Sequence, residues 1–353
     1  MRLETIHPKE LGPAEIGQWR AHQSARPALQ SPYLTPEWAQ IVGAARADAR
    51  VCVIDGGRGF FGAQRLSRFA AMGLGAPVTD YQGVVGETDL NVEPALLCRA
   101  LKVGRIDLTH VPEGAAPLKA SGADGSWIAE THSGRDLYEA GLKLRRGEFV
   151  RQADKKARKF ARERGAPEFR VASPNVEDFV TLIGWKNEQL ACTNQPEIWA
   201  TPWVRQVLDA CFAARDGHFA GQLFTMHIDE RLIGAAFGLR SGRVLHVWLI
   251  AHDSEFDSYS PGVQLARWLI GWAGDHGVAE VDFGPGDYQF KRQLSTTQRM
   301  LHRGVISGAT FSGVIRRAEH ALRAQLERAP HAALAALPGK AMRRIDLMRA
   351  LAS

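Results

Sequence analysis

The sequence predicts a mixed α/β chain of the α+β kind: two domains, each a mostly antiparallel sheet flanked by helices, followed by a basic helical C-terminal tail. Three observations predict it. At 353 residues the chain is too long for one ordinary domain and comfortable for two. Three β-rich runs, Phe219 to Ile228, Leu232 to Leu239 and Val244 to Ala251, follow one another across DER and SGR connections short enough for antiparallel hairpins. From Thr310 the composition turns to Ala, Leu and Arg, with Ala318, Leu322 and Leu326 and then Leu334 and Leu337 at helical spacing. The expected domains are 1–140 and 141–309, with 310–353 as a tail appended to the second.

Along the first domain, helices are expected over Ala14 to His22 and, after the Thr35-Pro36 cap, over Glu37 to Ala44. A strand from Arg50 to Ile54 and a second from Phe60 to Arg68, joined by the DGGRG turn, form a hairpin. Glu93 to Lys102 reads as a helix and Arg105 to His110 as a strand. In the second domain Arg151 to Arg164 is a helix, with Ala153, Ala157 and Phe160 on one side and Gly165 as its stop. Val176 to Leu190 and Trp203 to Ala214 are further helices. After the three antiparallel strands come a helix and a strand, Val278 to Phe283, that must join the same sheet. The first domain echoes this order weakly, as in a duplicated fold. Pro330 and Pro338 break the tail into short helices.

The net charge of +6 is concentrated. Lys143 to Arg164 holds ten Lys/Arg against three Asp/Glu, and Thr310 to Ser353 holds eight against three. Everything else is therefore net acidic. Positioned anion contacts fit this pattern better than general nucleic-acid affinity, and no DNA partner is expected. Cys52, Cys98, Cys192 and Cys211 show neither CxxC pairing nor a His partner at metal spacing, so core thiols and no metal are expected. The opening residues lack a signal-peptide run, and no stretch is apolar enough to span a bilayer. The expected location is cytoplasmic, with peripheral contact at the inner membrane face left open.

The densest functional signal is Tyr259 to Leu294. Ser260 suits a helix N-cap, Pro261 the first helical position, and Gly262 leaves room for a ligand at the exposed N–H groups, with Val263 next to it. The helix carries Val263, Leu265, Leu269, Ile270 and Ala273 on its apolar side and ends at Gly277. Its strand runs into GPGDYQFK, which concentrates Asp287, Tyr288 and Lys291 at a glycine-loosened turn. Ser260, Pro261 and Gly262 read either as a well-made helix start or as a phosphate site.

In its motifs the chain resembles the CelD/BcsL group of GNAT-type acyltransferases, linked to bacterial cellulose, other exopolysaccharides and holdfast polysaccharide. The matching segments are SPYLTPEW (Ser31 to Trp38), GLGAPVTDYQGVV (Gly73 to Val85), LRRGEFVRQADKKARKFARERG, SYSPGVQL and VDFGPGDYQFKRQL. The resemblance implies two GNAT-like domains arranged as in peptidoglycan aminoacyltransferases of the FemAB type. It also implies acetyl-CoA or another acyl-CoA as donor and an amino-sugar polysaccharide precursor as acceptor. The glycine-rich pyrophosphate loop of ordinary GNAT enzymes, Q/R-x-x-G-x-G/A, is absent, with Gly262 alone before the helix. An aminoacyl-tRNA donor, or a non-catalytic regulator of polysaccharide synthesis, are the competing readings.

Under this resemblance the donor phosphates fall to Ser260 to Val263. Asp287 is either a general base for the incoming ammonium or a cap for the next helix; Asp282, His246 and Glu188 are rival bases. Tyr288 or Tyr259 either protonates the departing thiolate or packs. Lys291 is expected at a ligand anion and outside the core. Asp80, Tyr81, Trp185 and Lys186 are acceptor candidates, although Trp185 and Lys186 read more readily as a core tryptophan beside a surface lysine. The basic helix is a solvated face, a diphosphate clamp or a contact for anionic headgroups. The paired arginines Arg316-Arg317 and Arg343-Arg344, with Arg349, read either as anion contacts for a membrane or a regulatory nucleotide, or as the polar side of packed helices.

Overall fold

The structure, a computed structural model, describes residues 1–193, 195–326, 344–348 and 350–351. Pro330, Leu334, Leu337, Pro338, Arg343 and Arg349 lie outside the described residues, as does the side chain of Leu326. The chain forms two compact units, 1–124 with 300–353, and 125–299. The expected cut at 140 falls inside a helix, Arg135–Arg164.

The first unit opens with β1 (Leu3–Ile6), α1 (Pro13–Ala25), α2 (Pro36–Ala45), β2 (Ala49–Ile54), β3 (Gly59–Gln64), β4 (Ala71–Gly73), β5 (Val84–Gly86), α3 (Pro94–Ala100) and β6 (Ile106–Pro112). Helices α1, α2 and α3 each begin on a proline, whose missing N–H costs nothing in a first turn. Thr35 caps α2 as expected, its hydroxyl accepting from the Trp38 amide at 3.1 Å. The β2–β3 hairpin forms in antiparallel register from Ala49↔Gln64 to Ile54↔Gly59, stopping short of Arg68. Strand β4 pairs in parallel with β6, with α3 between them in the chain.

Strand β7 (Lys119–Glu130) leads into the second unit, which holds α4 (Arg135–Arg164), β8 (Glu168–Arg170), α5 (Val176–Cys192), α6 (Pro202–Ala213), β9 (Ala220–Ile228), β10 (Arg231–Ser241), β11 (Val244–His252), α7 (Pro261–Asp275), β12 (Glu280–Asp282) and α8 (Gln289–Leu294). Its strands lie in the order β7-β12-β11-β10-β9-β8. The β11–β12 pair is parallel and every other pair in this order is antiparallel. The expected echo between halves is thus visible in each unit as antiparallel strands followed by a helix and a parallel strand. Leu265, Leu269 and Ile270 of α7 pack with Leu245, Val247 and Val281 from the sheet and Leu142 and Phe160 from α4.

The chain returns to the first unit through β13 (Thr297–Ile306), antiparallel to β6, and α9 (Phe311–Leu326). The tail is therefore part of the first unit and not an appendage of the second. Of its first arginine pair, Arg316 fits the polar side of a packed helix rather than an anion contact. Arg316 is buried, donating to Asp107 and Glu319 at 3.0 Å each and to Asp346, and Arg317 donates to Ser307. Arg344 is exposed. Cys52, Cys98 and Cys211 are buried thiols as expected, whereas Cys192 is exposed.

Candidate active site

The parallel pair of the second unit positions the site. Its register runs Val244↔Glu280, Leu245↔Val281 and His246↔Asp282, and there β12 ends while β11 continues to His252. The chain after Asp282 turns to β7 instead: the Phe283 amide donates to the Trp127 carbonyl at 2.8 Å, and the Trp127 amide to Gly284 at 3.3 Å. Among the described residues no strand pairs with β11 on that side beyond His246. The β11 backbone beyond that level is an open strand edge among the described residues.

Strand alternation decides which side chains stand where that edge begins. Leu245 and Val247 join the cluster under α7, as do Val281 and Phe283. His246 and Asp282 therefore point to the opposite face, where α5 packs on β10 and β11. Both are fully buried. Asp282 Oδ1 accepts from Ser126 Oγ at 2.6 Å and from the Gly284 amide at 2.8 Å, and Oδ2 lies 3.6 Å from His246 Nδ1. The structure thus brings together two of the three rival bases. Glu188 is exposed on α5 and takes no part in this cluster.

The GPGDYQFK turn folds around the same carboxylate. Gly284 at φ 72° and Gly286 at φ 101° take backbone positions that favour glycine, which lets the Gly284 amide reach Asp282. Lys291 corrects its expectation of lying outside the core: it is buried, and Nζ donates to the carbonyls of Pro285 at 2.8 Å and Gly284 at 3.3 Å. The lysine pins the turn from inside. Tyr288, exposed, lays its ring 5.2 Å from that ammonium and stands at the N-cap of α8. Asp287 is not the cap; its exposed carboxylate pairs with Arg292 at 3.0 Å. Lys291→Ala would leave two turn carbonyls without their donor. The expected loss is about 1–3 kcal/mol of stability together with reduced turnover, read by urea unfolding and steady-state rates. An unchanged midpoint with lost substrate affinity would return Lys291 to direct ligand contact.

At the carboxyl end of β11 stands the start of α7. Ser260 occupies the N-cap position in a left-handed conformation (φ 55°, ψ 54°), and its side chain does not cap. Its hydroxyl accepts instead from Lys156 Nζ of α4 at 2.8 Å. Pro261 opens the helix, and a Cβ on Gly262 would stand 3.2 Å from His252 Nδ1, so a bare glycine keeps that end open. Val263 is half-buried behind it, its amide donating to the Ser260 carbonyl at 3.1 Å. Tyr259 is buried, stacks on Phe160 at 4.6 Å and donates to Glu163 at 3.0 Å, with Lys159 Nζ 5.3 Å from its ring. Burial works to raise the Glu163 carboxyl, but the Tyr259 hydroxyl and Arg162 outweigh it and hold the group below the usual range. The basic helix thus brings Lys156 and Lys159 to the helix start.

The acceptor candidates divide. On α5, Trp185 and Lys186 are half-buried, and desolvation pulls the Lys186 ammonium below the ordinary lysine value while Nζ donates to Gln189 at 3.1 Å. In the first unit Tyr81 is buried and lines a cavity of about 20 Å³ with Trp19, Tyr33, Trp38 and Gln82. SPYLTPEW and TDYQG therefore meet, but around a space for about one water rather than a sugar. Asp80 beside it is half-buried. Sequence reasoning missed Ser126 altogether.

Residues 148–292 match the family model described as an acetyltransferase (GNAT) domain. This span is a GNAT-type N-acyltransferase domain. It contains the parallel pair, the α7 start and the glycine turn, and lies wholly within the second unit. No curated protein matches the sequence. Among solved structures the chain is similar in fold to FemX, at 13% identity and TM-score 0.59 over 91% of this chain and 100% of that one. It is also similar to the C-terminal domain of a protein assigned as a lysylphosphatidylglycerol synthetase from Agrobacterium fabrum, at 12% identity and TM-score 0.54 over 86% and 96%. A protein of unknown function from Bacteroides thetaiotaomicron matches at 12% identity and TM-score 0.51 over 83% and 98%. Among the described residues no helix is long and apolar enough to cross a membrane, and no group of three His, Cys, Asp or Glu could hold a metal ion.

Proposed function

We propose that the protein transfers an acyl group from acyl-CoA, acetyl-CoA in the simplest case, to the amine of an amino sugar in an exopolysaccharide or its precursor. The observation that carries this reading is the open β11 edge beyond the buried His246–Asp282 couple, within the residues that match the GNAT domain model. The cellulose- and holdfast-linked motifs support the acceptor class. The donor phosphates sit at the α7 start, on Ser260, Pro261, Gly262 and Val263, with the Lys156 and Lys159 side chains adding the charge that a glycine-rich loop supplies as amides.

The thioester then lies along the open edge of β11, whose amides take the oxyanion as the acceptor nitrogen attacks the carbonyl carbon. The ammonium proton passes to the imidazole–carboxylate couple, the carbon–sulfur bond breaks, and the thiolate leaves with a proton for which Tyr288 is the candidate donor. Trp185 and Lys186 face the acceptor. Work in the cytoplasm at the inner membrane face suits such precursors. Saturable heat on titrating acetyl-CoA into the protein, abolished by Gly262→Val, is the expected result. No heat at millimolar acetyl-CoA would overturn the donor assignment.

A second reading, aminoacyl transfer from a charged tRNA, is favoured by the exposed basic side chains of α4, Lys155, Arg158 and Arg162 among them. It makes turnover depend on added tRNA and vanish with ribonuclease. Acyl-CoA turnover indifferent to both rejects it.

A further inference from the structure

We infer that Ser126 of β7 is a positioning residue for this transfer, holding the Asp282 carboxylate toward His246. The inference rests on the proposed reaction and adds a residue that none of the motifs contains. Ser126 is fully buried and lies 156 residues from Asp282 in sequence. Trp127 and Ile128 follow it in the strand, and a fully buried strand position of this kind ordinarily carries an apolar side chain. A hydroxyl there needs a partner, and its one proton goes to Asp282 Oδ1 at 2.6 Å.

The consequence for Asp282 is orientation. With Oδ1 fixed by Ser126 and the Gly284 amide, rotation about the carboxylate bond is blocked and Oδ2 is left facing His246 Nδ1 at 3.6 Å. A short bond to a charged acceptor also favours the ionised form that burial opposes. The Gly284 amide depends on the turn, which Lys291 pins through two carbonyls. Ser126 is the independent second support.

Charged groups on the neighbouring elements have partners of their own. Lys291 of α8 donates to the turn carbonyls. Glu280 of β12 pairs with Arg299 at 2.8 Å, Glu130 of β7 accepts from Thr296 at 3.0 Å, and Lys186 of α5 bonds within its own helix. Removing the Ser126 hydroxyl therefore changes the carboxylate's hydrogen bonding without adding or deleting a charge.

The test compares wild type, Ser126→Ala, Ser126→Thr and Asp282→Asn with acetyl-CoA and glucosamine, alongside a histidine-selective NMR titration that needs no turnover. In Ser126→Ala the couple should take up a proton more readily. The His246 titration and the acidic limb of kcat are expected to move up by about one pH unit, with kcat about tenfold lower on the acid side of the limb, unchanged above it, and KM for acetyl-CoA unchanged. Ser126→Thr, which keeps the hydroxyl, should restore both. A Ser126→Ala titration and limb that coincide with wild type overturn the inference, as does a loss that Ser126→Thr shares in full. Wild-type turnover by Asp282→Asn would instead sink the proposed reaction itself.

Discussion

Asp282→Asn is expected to lower acyl transfer by about two to four orders of magnitude, the usual worth of a positioned general base, while acyl-CoA binding and the fold survive. Asparagine is isosteric, and its carbonyl oxygen can still accept from Ser126 and the Gly284 amide, so the turn keeps its anchor. What disappears is the negative charge beside His246, and with it the stabilisation of the imidazolium formed when the amine gives up its proton. The loss should shrink as pH rises, because an amine that deprotonates in solution needs the couple less. The parallel variant Asp287→Asn should stay near wild type, since that carboxylate lies in water paired with Arg292. Rates from pH 6 to 9 for both variants check the assignment. A dead Asp287→Asn beside an active Asp282→Asn would move the base to the turn.

The legible part of this fold is what side-chain periodicity and proline placement record. Helices α1, α2, α3, α6 and α7 all start on prolines, and β9, β10 and β11 are apolar enough to announce themselves. Strand β7, KASGADGSWIAE, was invisible because its first half is exposed or half-buried. Its pairing rests on backbone hydrogen bonds, which leave no mark in composition. The basic helix was seen only from Arg151. The reason is local: at Arg146, next to Gly147, the backbone leaves helical geometry (φ −137°, ψ 40°) and the two helical stretches meet at a kink.

At the site, the motif residues were found and their roles were harder to read. Nothing in one strand tells whether Asp282 faces α5 or α7, because both of its neighbours are apolar; the register with His246 settles it. Lys291 looks like a surface lysine until the carbonyls of Gly284 and Pro285 are placed around it. Ser126 carries no signal in sequence, since its partner is a tertiary neighbour. Ser260 misled for a different reason. Its left-handed backbone turns the hydroxyl from capping to Lys156, and a cap residue's identity does not report its φ.

Arg316→Ala should cost the first unit about 3–5 kcal/mol, the penalty for breaking a buried ion-pair network by removing one partner. Burial opposes the guanidinium's charge, yet Asp107 and Asp346 outweigh it and raise its pKa above the ordinary arginine value. Alanine would take from the buried Asp107 its 3.0 Å partner on α9, Arg105 remaining, and would remove the Arg316 bond to Asp346. Arg317→Ala, which loses a bond to a serine hydroxyl from a half-buried side chain, should cost no more than about 1 kcal/mol. Urea unfolding of the two variants separates the roles that sequence left open for this pair. A stability loss confined to Arg316→Ala identifies a tail helix docked through its polar side. Unchanged unfolding of Arg316→Ala with lost binding of a phosphate-rich ligand would mean that the arginine leaves its carboxylates in solution, and the anion-contact reading would then hold.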